Sequence, residues 1–103
     1  MMKKEATIFV RFLTTEEGGR QSPIESDRYG CPLMIDDTQG FDCRFVLDGV
    51  TIFELGKEYE IAVKFLNPEN AFSHLSEGDE ISLWEGKKIG AGIVKKIFTD
   101  SEN

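Results

Sequence analysis

Apolar residues recur at every second position along most of the chain, and no window of a dozen residues keeps the three-and-four spacing of an amphipathic helix. Over residues 5–13, Ala6, Ile8, Val10 and Phe12 share one face. Phe9 and Leu13 lie on the other, which allows that face to be covered as well. A second strand is predicted at about 31–35. A third covers 41–47, with Phe41, Cys43, Phe45 and Leu47 inward and Asp42 and Arg44 outward. After the reversal signal Asp48-Gly49 a short strand is expected at 50–53. A turn at Gly56 leads into a strand that turns Tyr59, Ile61, Val63 and Phe65 inward, and Asn67-Pro68 ends it. "ENAFSHLSEGD" has room for one helical turn. Residues 80–84 and 89–98 read as two strands joined by the tight loop "EGKK", and the tail "TDSEN" reads as frayed.

Six or seven short strands separated by turns predict one all-β domain over 1–103, an antiparallel barrel or sandwich with its core at about 5–98. At 103 residues the chain has the length of one domain. No run approaches the roughly 20 apolar residues of a membrane span. The start "MMKKEATIFVRF" alternates as a strand does, and no small-residue cleavage site follows it, so a signal peptide is not expected and the cytoplasm is the expected address.

Charge narrows the partners. Nineteen acids against twelve bases give a net charge of −7, which opposes non-specific nucleic-acid binding and suits a partner with a basic face. Cys31 and Cys43, with His74 as the single histidine and no CxxC, predict buried or half-buried thiols rather than a disulfide framework or a metal site.

Candidate chemistry is thin. "EEGGR" cannot be a phosphate-binding loop, because no helix or Lys-Ser/Thr pair follows it. "GAG" at 90–92 runs into the strand "IVKKI" instead of opening a helix, so no dinucleotide fingerprint is present. Gly18-Gly19 are expected to supply positive φ in a turn, and Gly90 and Gly92 to relieve crowding at a barrel bend. His74 has no nucleophile motif around it, and the pairs Glu16-Glu17, Asp36-Asp37 and Asp79-Glu80 fall at loops or strand edges, where carboxylates are ordinarily solvated. No enzyme, cofactor or nucleotide is expected. With Ile81 and Leu83 inward, alternation sends Trp84 outward beside Lys87 and Lys88, as a binding anchor or as rim packing. Arg20 is expected to hold Glu16, Glu17 or a turn carbonyl.

Taken in order, "EEGGRQSPI", Tyr29, Pro32, "LGKEYEIAVKFLNP", Leu75 and "EGDEISLWEGKKIGAGIV" resemble the C-terminal (third) domain of translation elongation factor Tu over about residues 6–97. "EEGGR" and "EGKKIGAGIV" are its specific parts. The resemblance implies a closed six-stranded antiparallel barrel. It also implies that the glycines of "EEGGRQSPI" turn the chain in a long connection, with no phosphate involved. That family's third domain contacts the tRNA T-stem, the nucleotide-exchange factor and the GTPase domain. Nothing here resembles a GTP-binding domain, so GTP hydrolysis and full tRNA delivery are not expected. The family's Gly-Tyr-Arg-Pro becomes "YGCP" without the arginine, and its closing Gly-Gly-Arg-Thr becomes "EGKKIG".

The expected role is therefore a non-enzymatic protein-binding module using the β-hairpin around Trp84, Glu85, Lys87 and Lys88, with Arg20 nearby. It would serve as a mimic of the factor or as an immunity-type neutraliser of a basic toxin. The alternative is a stand-alone tRNA or ribosomal RNA-binding module using Arg20, Lys87, Lys88, Lys95 and Lys96. No membrane partner is expected.

Overall fold

A computed structural model describes residues 5–98; the frayed tail expected at 99–103 lies outside the described residues. Eight strands and one short helix follow in order. These are β1 (Ala6–Phe12), β2 (Ile24–Ser26), β3 (Gly30–Ile35), β4 (Gln39–Phe45), β5 (Thr51–Phe53), β6 (Glu58–Phe65), α1 (Pro68–Phe72), β7 (Glu80–Trp84) and β8 (Lys88–Ile97). Six of them close an antiparallel barrel in the order β1-β6-β4-β3-β7-β8, and β2 pairs with β5 in a separate ribbon. Closure leaves none of the six with a free edge. No helix among the described residues is long and apolar enough to cross a membrane.

Alternation puts Ile8, Val10, Leu33, Cys43, Val63 and Leu83 in the barrel interior, all buried. Aromatic rings close one end: Phe53 of the ribbon lies 5.6 Å from Phe12, 5.5 Å from Phe45 and 5.0 Å from Tyr59 between ring centroids. The other end is filled by Ala71 and Leu75, with Phe72 meeting Phe65 edge-on at 5.3 Å. The helix begins where the Asn67 side chain accepts the Asn70 N–H and Pro68 supplies a preset φ.

The predicted strands are present with shifted ends. The strand expected at 41–47 runs from Gln39 to Phe45, and that expected at 50–53 keeps only Thr51–Phe53. β2 was not anticipated, because "IES" is too short to show a period. The second face of β1 is only partly covered: Thr7 is buried and Phe9 exposed. In the Glu16–Ile24 connection Gly18 takes φ +91°, while Gly19 is required for space, since a Cβ there would lie 2.4 Å from the Leu13 carbonyl oxygen.

Cys31 and Cys43, on consecutive strands, sit directly opposite each other across β3 and β4 as free, buried thiols. The Phe45 N–H donates to the Tyr29 carbonyl two residues away, so the same alternation makes the cysteines a hydrogen-bonded pair, about 5.5 Å apart at Cα. The hydrogen bond to Cys31 first, and burial second, push the Cys43 thiol well above its ordinary value.

Candidate functional site

The β7–β8 hairpin turns over Glu85, Gly86 and Lys87, closed by the Glu85 N–H donating to the Lys87 carbonyl at 2.8 Å. A register shift between Leu83 and Trp84 sets Trp84 opposite Lys88. Two polar clusters hold the hairpin, one on each side.

On the outer face of β7, Trp84 follows Ser82. The Trp84 indole N–H donates to the Ser82 hydroxyl at 2.8 Å, and that hydroxyl donates to Asp37 Oδ1 at 2.9 Å. Lys88 Nζ reaches the second oxygen of the same carboxylate at 3.2 Å. The β3–β4 turn that delivers Asp37 places Asp36 and Asp37 at φ +54° and +57°, left-handed values that aspartate tolerates better than most residues. The Ser82 hydroxyl, then Lys88, hold the Asp37 carboxyl below its ordinary value. Alternation correctly sends Trp84 outward, but the ring is half-buried and its polar edge is occupied. It packs at the rim.

On the other side Arg20 Nη1 meets Glu85 Oε2 at 2.5 Å, while its Nε donates to the Ser22 carbonyl at 3.0 Å. The expected turn carbonyl is there. Of the carboxylates expected for Arg20, neither is taken: Glu17 pairs with Arg11 at 3.0 Å, and Arg20 reaches across 65 residues instead. The Tyr29 hydroxyl donates to the same Glu85 oxygen, and its ring lies 4.9 Å from Phe45. Burial, then the Glu85 hydrogen bond, raise the Tyr29 hydroxyl above its ordinary value.

The structure thus joins Arg20 to Glu85 and Trp84 to Lys88, and leaves the Lys87 side chain exposed at the tip, in no ion pair among the described residues. Asp37, Ser82 and Tyr29 complete the two clusters. Only the Asp-Asp pair at a turn hinted at them in sequence.

Beside the Trp84 cluster lies a depression of about 450 Å³. Ala91, Gly92 and Ile93 line it together with the charged residues Asp36, Asp37, Glu80 and Lys88. Ile93 pairs in register with Phe9 on β1, and the two are 40% and 38% exposed, forming an apolar step at the edge of the acidic border. Among the described residues no three His, Cys, Asp or Glu side chains are grouped so as to hold a metal. His74 is exposed and engaged locally, with Nδ1 2.9 Å from both the Ser73 hydroxyl and the Asn70 carbonyl.

No protein-family model and no curated protein matches the sequence.

Proposed function

We propose that this chain is a non-enzymatic, cytoplasmic interaction module on an elongation-factor-Tu-like barrel, binding a protein through the β7–β8 hairpin and the adjoining acidic depression. The observation that carries this reading is the exposed Phe9–Ile93 step bordered by Asp36 and Glu80. An apolar centre with a charged rim is how protein interfaces are built, and an acidic rim on a chain of net charge −7 selects a basic partner. A toxin neutraliser and a mimic of the translation factor are the two forms of this role that suit a small acidic barrel.

Most of the cations that an RNA-binding role would use already have acidic partners within the molecule. Three of the five are paired: Arg20 with Glu85, Lys88 with Asp37 and Lys95 with Glu60, while Lys87 and Lys96 keep their charge. RNA phosphates would have to displace those partners.

Affinity capture with the immobilised chain, with and without nuclease, tests the reading. Ile93→Lys and the double variant Lys87→Glu/Lys88→Glu serve as comparisons. A stoichiometric basic protein that survives nuclease and is lost with Ile93→Lys is the expected result. Recovery of RNA that disappears with nuclease or moderate salt would replace it with the RNA-binding alternative.

A further inference from the structure

Arg28, Arg44, Lys64, Lys87 and Lys96 lie in no ion pair among the described residues, although the chain is rich in carboxylates. Three of them, Arg28, Arg44 and Lys64, line one depression of about 480 Å³. Tyr29 and Leu66 give it apolar walls, and among the described residues Asp27, in no ion pair there, is the only acid lining it.

The arrangement runs against ordinary barrel construction. Arg44 on β4 and Lys64 on β6 stand directly opposite in register, and like charges so placed repel. Gly30 faces Arg44 on the other side, across β3 and β4. The space a Cβ would take there is filled by the guanidinium, with Arg44 Nη1 2.2 Å from that position. The absence of a side chain at 30 lets Arg44 lie flat over the strand toward Tyr29 and Arg28, and these four residues also line an adjoining hollow of about 310 Å³. Two arginines and a lysine from three segments thus line one depression, against one carboxylate. The surplus is about two positive charges, which a phosphomonoester dianion balances and a single carboxylate does not.

We infer that this depression binds a phosphomonoester. The arginine forks take its oxygens in pairs, Lys64 supplies a point charge, and the carrier of the phosphate rests on Tyr29 and Leu66. The site lies apart from the hairpin depression, sharing none of its lining residues. The phosphate could belong to a small molecule or to a phosphorylated peptide; the chemistry at the cations is the same.

The test is an amide-resolved NMR titration of the full chain with inorganic phosphate, O-phosphoserine and a short peptide carrying phosphoserine. Saturable shifts should centre on Arg28 to Cys31, on Arg44 and Phe45, and on Lys64 to Leu66. Arg44→Gln and Lys64→Gln should each weaken binding about tenfold or more, as loss of a charged hydrogen-bond partner does. Lys57→Gln, which removes an exposed cation paired with Glu54, should not. Because Arg44 and Lys64 repel, each Gln variant should melt no lower than the parent without phosphate. Phosphate should raise the melting temperature of the parent and of Lys57→Gln alike, and raise it less in Arg44→Gln and Lys64→Gln. Tighter binding of the peptide than of phosphoserine assigns the site to a phosphorylated protein, and equal binding assigns it to a small phosphomonoester. Shifts that fail to saturate, that spread over all lysines, or that persist unchanged in both Gln variants overturn the inference. So does a marked loss of stability in Arg44→Gln, which would make the guanidinium a packing element of the wall.

Discussion

Replacing Gly92 by alanine should break the seam that closes the barrel, whereas the same change at Gly90 should be nearly silent. Both glycines belong to "GAG" and face β1, Gly92 opposite Val10 and Gly90 opposite Phe12. A Cβ at 92 would lie 1.8 Å from the Phe9 carbonyl oxygen and 2.7 Å from the Val10 Cα, all backbone atoms that no rotamer change can move. A Cβ at 90 would meet the Arg11 carbonyl oxygen at 3.2 Å and the Phe12 ring at 3.5 Å. Restoring ordinary contact at 92 requires β1 and β8 to part by more than about 1 Å, because Cβ contacts shorter than about 3 Å are not tolerated.

That separation strains or breaks the ladder hydrogen bonds on either side, at about 1 kcal/mol each, and adds an overpacking cost of about 1–3 kcal/mol. Roughly 3–5 kcal/mol is expected in total, a large share of the ~5–15 kcal/mol that holds a domain of this size. At Gly90 the tight contact is offset by the ~0.4–1 kcal/mol gained when alanine restricts the unfolded chain, so the net change should stay within about 1 kcal/mol. Urea unfolding at 25 °C measures both, and melting should show a fall of about 12 °C or more for Gly92→Ala. Equal stability of the two variants, or a Gly92→Ala protein within about 1 kcal/mol of the parent, would refute the steric reading of the motif.

The remaining predictions concern the site and the thiols. Glu85→Ala should cost about 1–2 kcal/mol in urea unfolding, since it leaves the half-buried Tyr29 hydroxyl and Arg20 without their common acceptor; an unchanged midpoint would show that the cluster does not hold the hairpin. The Asp37 carboxyl lies below the ordinary 3.8, so its hold on Ser82 and Lys88 is complete above that value and is lost as pH falls through the lower folded one. Emission from Trp84, the single tryptophan, should therefore stay constant from neutral pH down to about 4 and change only below 3.8, with the step abolished in Asp37→Asn; a midpoint above 3.8 in the parent would contradict this. Iodoacetamide at mildly alkaline pH should leave Cys31 and Cys43 unmodified in the native protein and label both in urea, because burial and their mutual hydrogen bond keep Cys43 protonated. Full labelling of Cys43 without unfolding would contradict that placement.

What the sequence disclosed and what it withheld follow from range. Strands such as β1, β4 and β6 announce themselves because each alternates over seven or eight residues, long enough for one buried face to show. β2 has three residues and owes its existence to β5, a partner in a distant segment, so no local pattern could reveal it. The hairpin residues were legible by type and loop position, yet each partnership spans about half the chain or more: Arg20 to Glu85 over 65 residues, Tyr29 to Glu85 over 56, Lys88 to Asp37 over 51. Those contacts decide which charges face solvent with their field intact. Lys88 and Lys95 were counted as available cations, and barrel closure brings a carboxylate to each. Arg28, Arg44 and Lys64 share no local pattern, and the same closure gathers them around one depression with a single acid, Asp27, in its lining. In a chain this acidic, which cations stay free is a property of topology, so ligand chemistry is written in strand order rather than in composition.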